Sequence, residues 1–537
     1  MFEVLEKDLA GRIGILETKH GKIETPAIAP VINPAKNILP PSSIIEIGFP
    51  LLMTNAYIIK RHYEDLAVEL GVHRILGVEK PVMTDSGAYQ FMIYGKIEVT
   101  QEEILEFERA IGSDIGVILD LPTPPGISKD EALRRVEETL KRAEKAVSEK
   151  TDDMLLVGPI QGGVYIDLVE YSAKKLSKLD FDVYAIGGFT QLMEQYTFTS
   201  MVKAVVAAKQ HLPPSKPLHL FGGGNPVMLP LAVALGVDLF DSASYALYAK
   251  DLRYMTSHGV LRFERLRELP CECPVCSKYS VEDLRDMPRE ELECKIALHN
   301  LYVLSREIKT IKQAIHEGWL WELLEEKAAR QHSLMDALLQ LRKYLNYLEK
   351  HHPITKHPVR GLNFSSVTSL WRPEIYRHLK RLYERYEAPV NKILLLLPET
   401  REKPYTRFGP IAFIYEIIKE RNLSYHIVVY SPIFGIIPIE LSEVYPLSQY
   451  NASRLLANDP EKIAFENLLQ YLRFYSDRYK EVILVIDQEL VRLSEEEISR
   501  LKLGVASLKV LNYPISSIKS KEHGVKFLKE LSKLNVN

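Results

Sequence analysis

Asp182-Val183-Tyr184-Ala185-Ile186-Gly187-Gly188 is an apolar run too short for a helix, closed by glycines and flanked by amphipathic stretches. The theme recurs through the first 260 residues, at 49–54, 81–87, 115–121, 154–162, 217–223 and 237–242. Such runs read as buried parallel strands. Helix signals fill the gaps. Thr100-Gln101-Glu102-Glu103 is a capping box opening a helix through about Ile111, and Ser128-Lys129-Asp130-Glu131 opens another to about Lys150. Seven βα units, with room for an eighth strand near 259–265, predict an α/β fold, a (β/α)8 TIM barrel. A doubly wound open sheet is the alternative. The opening 40 residues, punctuated by Gly and Pro, read as β-hairpins preceding the barrel.

The 261–300 segment breaks the rhythm and holds all 4 cysteines, so the barrel carries an inserted metal-binding subdomain. A helical pattern follows to about Tyr347. Smaller α/β structure comes next, with strands at 393–397, 425–430 and 482–486 and helices near 410–421 and 461–479. The expected division is a catalytic barrel domain at 1–347 that includes the zinc-binding segment 268–300, a linker or small helical subdomain at 348–388, and an α/β domain at 389–537.

Composition sets outer limits. Of 537 residues, 46% are hydrophobic and 26% charged, which excludes a disordered or collagen-like chain. Net charge is -3, so any nucleic-acid footprint must be local. No apolar run reaches 18 residues and no signal peptide opens the chain, so the expectation is a soluble cytoplasmic protein with no membrane partner. Clustered cysteines in a reducing compartment argue for metal rather than disulfides.

Cys271-Glu272-Cys273-Pro274-Val275-Cys276 is followed, 23 positions after Cys276, by His299. Three thiolates and an imidazole complete a tetrahedral Zn2+ shell, one per chain, and a closed shell of this kind is structural. Cys294 is the rival fourth ligand. It lies five residues from His299, roughly 140° around a helix, so the two do not point at one metal.

In such a barrel, chemistry sits at the C-terminal strand ends. Those ends carry Asp85 and Ser86, then Asp120, Gln161, Gly187-Gly188-Phe189, Phe221 and Asp241. Tyr89 and Phe221 could sandwich a flat ring. Asp120, Gln161 and glycine backbone could read its edge. Asp85 and Asp241 could divide nucleophile and acid/base roles at a sugar carbon. A single Asp at a strand end is commonly a cap or turn former; two on one rim point to chemistry. The glycines 222–224 lack the Lys-Ser/Thr of a phosphate loop.

Thr84-Asp85-Ser86-Gly87, Gly187-Gly188-Phe189, Phe240-Asp241-Ser242-Ala243-Ser244-Tyr245-Ala246 and the Cys-x-Cys-x-x-Cys…His set occur here in one order. Together they resemble the tRNA-guanine transglycosylases, most closely the archaeal 7-cyano-7-deazaguanine tRNA-ribosyltransferases. The resemblance covers most of the chain. It implies exchange of guanine at position 15 of the tRNA D-arm for 7-cyano-7-deazaguanine (preQ0), the archaeosine precursor, by double displacement. It implies Asp241 as the nucleophile at ribose C1′ and Asp85 as the general acid/base. Ser86, Tyr89, Asp120, Gln161, Gly187, Gly188, Phe189 and Phe221 then form the base pocket, and the target nucleotide must flip out of its stack. Zinc is structural in that family, and a homodimer is its common assembly. Many archaeal members end in a tRNA-gripping PUA domain; residues 501–537 do not resemble one, leaving a separate PUA-domain protein or the preceding domains to hold tRNA. Position 88 is Ala where bacterial relatives usually carry Gly.

Lys250 and Arg253 follow the nucleophile strand among aromatics and are candidates for tRNA phosphate. The basic stretch 373–385 is a weaker one. Lys403-Pro404-Tyr405 resembles a motif of the paralogous archaeosine synthase. Two rival readings are a retaining glycoside hydrolase on the same fold and a silent or archaeosine-synthase-like tRNA-binding paralogue. The first leaves the zinc loop unexplained. The second is disfavoured by retention of both carboxylates and all four metal ligands.

Overall fold

The computed structural model describes residues 1–88, 99–355, 361–453, 459–505 and 507–534. The chain forms two compact units, Met1–Pro353 and Ile354–Asn537.

The first unit opens with an antiparallel sheet of β1 (Phe2–Asp8), β2 (Gly11–Thr18) and β3 (Gly21–Thr25). Eight parallel strands follow: β4 (Ala27–Pro30), β5 (Leu52–Asn55), β6 (Val82–Asp85), β7 (Ile115–Val117), β8 (Leu155–Ile160), β9 (Val183–Ile186), β10 (Leu218–Leu220) and β11 (Leu239–Ser242). Their order, β4-β11-β10-β9-β8-β7-β6-β5, is that of a barrel. Val31 bridges in parallel to Met53 across the seam, and Ile32 N donates to the Met53 carbonyl at 2.8 Å, so the cylinder is nearly closed. Residues two apart on one strand, such as Ala27 and Ala29 or Val183 and Ala185, share a buried cluster with Met53, Met83 and Leu239. Leu16 and Ile23 of the opening hairpins join it. Each Leu or Ile buried this way contributes about 1.5–3 kcal/mol.

The barrel's ends differ from the sequence expectation. β13 (Gly259–Arg262) is not the eighth strand; it pairs antiparallel with β12 (Arg253–Thr256) as a half-exposed hairpin. The missing strand is β4, which pairs with β11 from Ala27↔Leu239 to Pro30↔Ser242. Four residues, Ala-Ile-Ala-Pro, in a stretch punctuated by Gly and Pro make too short an apolar run to stand out as a strand.

The capping signals hold. Thr100 Oγ1 accepts from Glu103 N at 3.2 Å and Glu103 Oε2 from Thr100 N at 2.8 Å, opening the helix Gln101–Ala110. Ser128 Oγ accepts from Glu131 N at 3.2 Å at the head of Lys129–Ser148. A 29-residue helix, Arg289–Glu317, carries both Cys294 and His299.

In the second unit a short parallel pair joins β14 (Leu362–Phe364) to β18 (Tyr450–Ala452). Its main sheet is ordered β17-β16-β15-β19-β20, from β15 (Ile393–Pro398), β16 (Tyr425–Ser431), β17 (Gly435–Pro438), β19 (Glu481–Ile486) and β20 (Leu508–Asn512). Only the edge strand β17 runs antiparallel. Near-continuous apolar runs such as Ile393–Pro398 bury both faces of the sheet, giving two cores. No helix of the described residues is long and apolar enough to cross a membrane.

Candidate active site and metal centre

The C-terminal strand ends bring the expected residues together. β5 and β6 run in register so that Asn55 lies beside Asp85. Asn55 Nδ2 donates to Asp85 Oδ2 at 2.9 Å, while its Oδ1 caps the next helix by accepting from Ile58 N at 2.9 Å. Asp85 is pushed up to about 6, first by burial and then by the charge of Asp241. The two carboxylates therefore feel one another across the rim.

Asp241 is held differently. Its Oδ1 accepts from Gly222 N and from His219 Nε2, both at 2.9 Å. His219 is fully buried, and its Nδ1 has no partner among the described residues. A proton on Nδ1 would be a buried donor without an acceptor, so the tautomer that fits carries its proton on Nε2 and gives it to Asp241.

Asp120 is buried and pushed up to about 7 by burial, then by the charge of Asp85. Gln161 Nε2 donates to Asp120 Oδ2, and Gln161 Oε1 accepts from Thr123 N at 3.0 Å and Thr123 Oγ1 at 2.8 Å. Thr123 thus fixes which end of the amide faces Asp120. Ser86 is buried, its hydroxyl donating to the Ile118 carbonyl at 3.3 Å.

Gly187 lies against Phe221: a Cβ there would stand 3.3 Å from the ring's Cδ2. Gly188 has φ +87°, and its Cβ would stand 2.9 Å from the Thr123 carbonyl. Phe221 is half-buried, its ring 4.9 Å from that of His219. Phe189 is fully buried, directly before the helix Thr190–Glu194. Tyr89 lies outside the described residues.

Of the basic candidates, Lys250 is exposed, with its carbonyl accepting from Arg289. The Arg253 guanidinium sits 3.8 Å from the Tyr248 ring centroid and donates to Asp251 at 2.9 Å, so its charge is already engaged. In the helix Pro373–Glu384, Arg377 and Glu374 are buried, which narrows the surface it can offer.

Cys271, Cys273, Cys276 and His299 converge, their ligand atoms all within 4.8 Å of one another. Cys273 Sγ lies 3.5 Å from Cys276 Sγ, and His299 Nδ1 lies 3.5 and 3.4 Å from those sulfurs. Zinc–ligand bonds at tetrahedral angles imply edges of about 3.8 Å between sulfurs and about 3.6 Å between sulfur and nitrogen. The donor set fits a tetrahedral metal. The Met255 carbonyl accepts from His299 Nε2 at 2.9 Å, which leaves Nδ1 free to ligate. The Tyr254 ring stacks on the imidazole at 3.7 Å, and its hydroxyl lies 3.2 Å from Cys276 Sγ. Cys294 stands apart, its thiol donating to the Ile38 carbonyl at 3.1 Å.

Asn55, His219, Thr123 and Tyr254 escaped the sequence reading. The first two had a signal. Asn55 closes a strand as Asp85 does, and His219 precedes Phe221 by two positions, so both sit on the same face of their strand.

Known proteins match the chain over most of its length. A family model described as queuine tRNA-ribosyltransferase matches residues 8–333, and one described as a domain of unknown function (DUF5591) matches residues 375–520. The tRNA-guanine(15) transglycosylase of Methanocaldococcus jannaschii is 42% identical over 471 residues, 86% of this chain and 70% of its own. That of Pyrobaculum aerophilum is 43% identical over 501 residues, 93% of this chain and 97% of its own. That of Sulfolobus acidocaldarius is 40% identical over 497 residues, 91% and 96% of the two chains.

Proposed function

The chain belongs to the queuine tRNA-ribosyltransferase family, among its archaeal-type tRNA-guanine(15) transglycosylases, and from that premise we propose that it exchanges guanine 15 of tRNA for 7-cyano-7-deazaguanine through a covalent Asp241–ribose intermediate. The observation that carries the mechanism is the unequal treatment of two neighbouring carboxylates. Asp85 is half-buried at the end of its strand, and its carboxyl is raised by burial and by the charge of Asp241. Asp241 has two donors on one oxygen.

In the first half-reaction Asp241 Oδ2, the oxygen that takes neither donor, attacks ribose C1′ as the C1′–N9 bond breaks, and Asp85 gives its proton to the departing guanine. Asp85 then takes the N9 proton of the incoming base. The new N9–C1′ bond forms as the Asp241–C1′ bond breaks, and the donors His219 and Gly222 receive the returning carboxylate. A carboxyl near 6 suits a group that must give and regain a proton near neutrality. Asp120 and Gln161 read the base edge, with Gly187, Gly188 and Phe221 bounding the slot.

The metal is Zn2+, one per chain, with a structural role: four protein donors leave no open position. The proposed assembly is a homodimer, with tRNA gripped by the second unit or a separate PUA-domain protein.

The test is base exchange on a tRNA labelled only in guanine 15. Label release that requires 7-cyano-7-deazaguanine and disappears in Asp241→Ala and Asp85→Ala is the expected result. Full release by either variant overturns the assigned roles.

A further inference from the structure

The opposite, N-terminal end of the barrel holds a buried cation that the transfer chemistry leaves unused. Lys209 ends the helix Phe198–Lys209 and is only 7% exposed. Among the described residues its ammonium has neither hydrogen-bond acceptor nor ion-pair partner. The titratable groups around it are nearly all basic: Lys7 from β1, Arg12 from β2, and His351 from the helix Leu345–His351, itself beside Lys350. The one carboxylate, Asp238, is fully engaged. Arg12 Nε donates to its Oδ1 at 2.9 Å, and Arg12 Nη2 and Leu218 N donate to its Oδ2 at 2.5 and 2.8 Å.

Lys7, Arg12, Lys209 and His351 line a cavity of about 20 Å³. A cavity of about 10–15 Å³ already holds one water, so this space takes a single small guest and no nucleotide. A water would supply hydrogen bonds but no charge. An ammonium without an acceptor is costly to bury, and here the charges of Arg12 and Lys7 add to its field while Asp238 opposes it. An anion would answer both deficits.

We propose that this cavity is a binding site for one small inorganic anion of halide size, tying the opening hairpin, the helix of Lys209 and the helix of His351 together. The proposal is independent of the transglycosylase reading. The basic field acts on the cavity groups in the direction expected. Burial and then Arg12 push Lys209 down to about 7, and burial and then Lys209 push His351 down to about 4. Anion binding needs Lys209 charged, so affinity must fall as pH rises above about 7.

The test uses the full chain in sodium gluconate at pH 6.5, titrated with sodium bromide while the unfolding temperature is followed, together with anomalous diffraction from bromide-soaked crystals. The expected result is a saturable rise, an anomalous peak beside Lys209 Nζ, and at least tenfold weaker binding in Lys209→Met. That variant should fold at least as well as the parent in gluconate, having lost an unpaired buried charge; Lys209→Gln serves as its polar counterpart. Equal bromide responses in parent and variants, an empty cavity in the anomalous map, or phosphate binding more tightly than bromide overturns the proposal.

Discussion

The ends of β6 and β11 carry the same side chain in opposite settings. Asp85 is surrounded so that it holds its proton to higher pH than a free carboxyl: burial and the charge of Asp241 outweigh the donors Gly87, Asn55 and Ser86. Asp241, at the end of β11, has His219 and Gly222 donating to one oxygen. In the proposed mechanism two like residues divide into an acid and a nucleophile through their neighbours, not through their own chemistry.

Changes at either end should break that division in graded ways. Asp241→Ala should have the largest effect, a loss of exchange of about 10⁴-fold or more in single-turnover assays, with tRNA binding retained. Next comes His219→Leu, which leaves Asp241 with Gly222 alone. It should lower kcat about 10–100-fold with KM nearly unchanged, and His219→Gln, which can still donate, should recover part of the loss. Removing the Asn55 donor by Asn55→Ala raises Asp85 further. An acid works below its pKa, so the alkaline limb of guanine release should move to higher pH, and the lost helix cap should cost about 1 kcal/mol by denaturant unfolding.

Asp85→Asn sharpens the comparison from the side of stability. A carboxyl whose pKa rises from 3.8 to about 6 on folding binds its proton more tightly in the native state, so ionisation destabilises the fold as pH climbs through that window. The variant should therefore gain unfolding temperature at pH 8 and little at pH 4. The smallest effect is expected from Gly187→Ala, whose methyl presses on Phe221 and should weaken base binding by about a few fold.

Much of this site was legible in the sequence because its residues fall at predictable points of a repeating unit. Asp85, Asp120, Gln161 and Asp241 stand out by their position at strand ends, and the candidate metal ligands by their spacing. What stayed hidden depends on pairings between distant strands. Nothing local to His219 says that β11 will bring Asp241 to its Nε2, 22 positions away. Nothing in Ala27–Pro30 says that four residues form a barrel strand, because only the partner β11 makes them one. The unpartnered Lys209 was invisible for the same reason: its surroundings come from four separate segments.

The most direct test of the division of labour is to trap the protein with labelled tRNA in the absence of free base and map the adduct by peptide mass spectrometry. A denaturation-resistant adduct on the peptide containing Asp241, absent from Asp241→Ala, is the expected result. An adduct on Asp85, or guanine release by Asp241→Ala at the parent's rate, would contradict it.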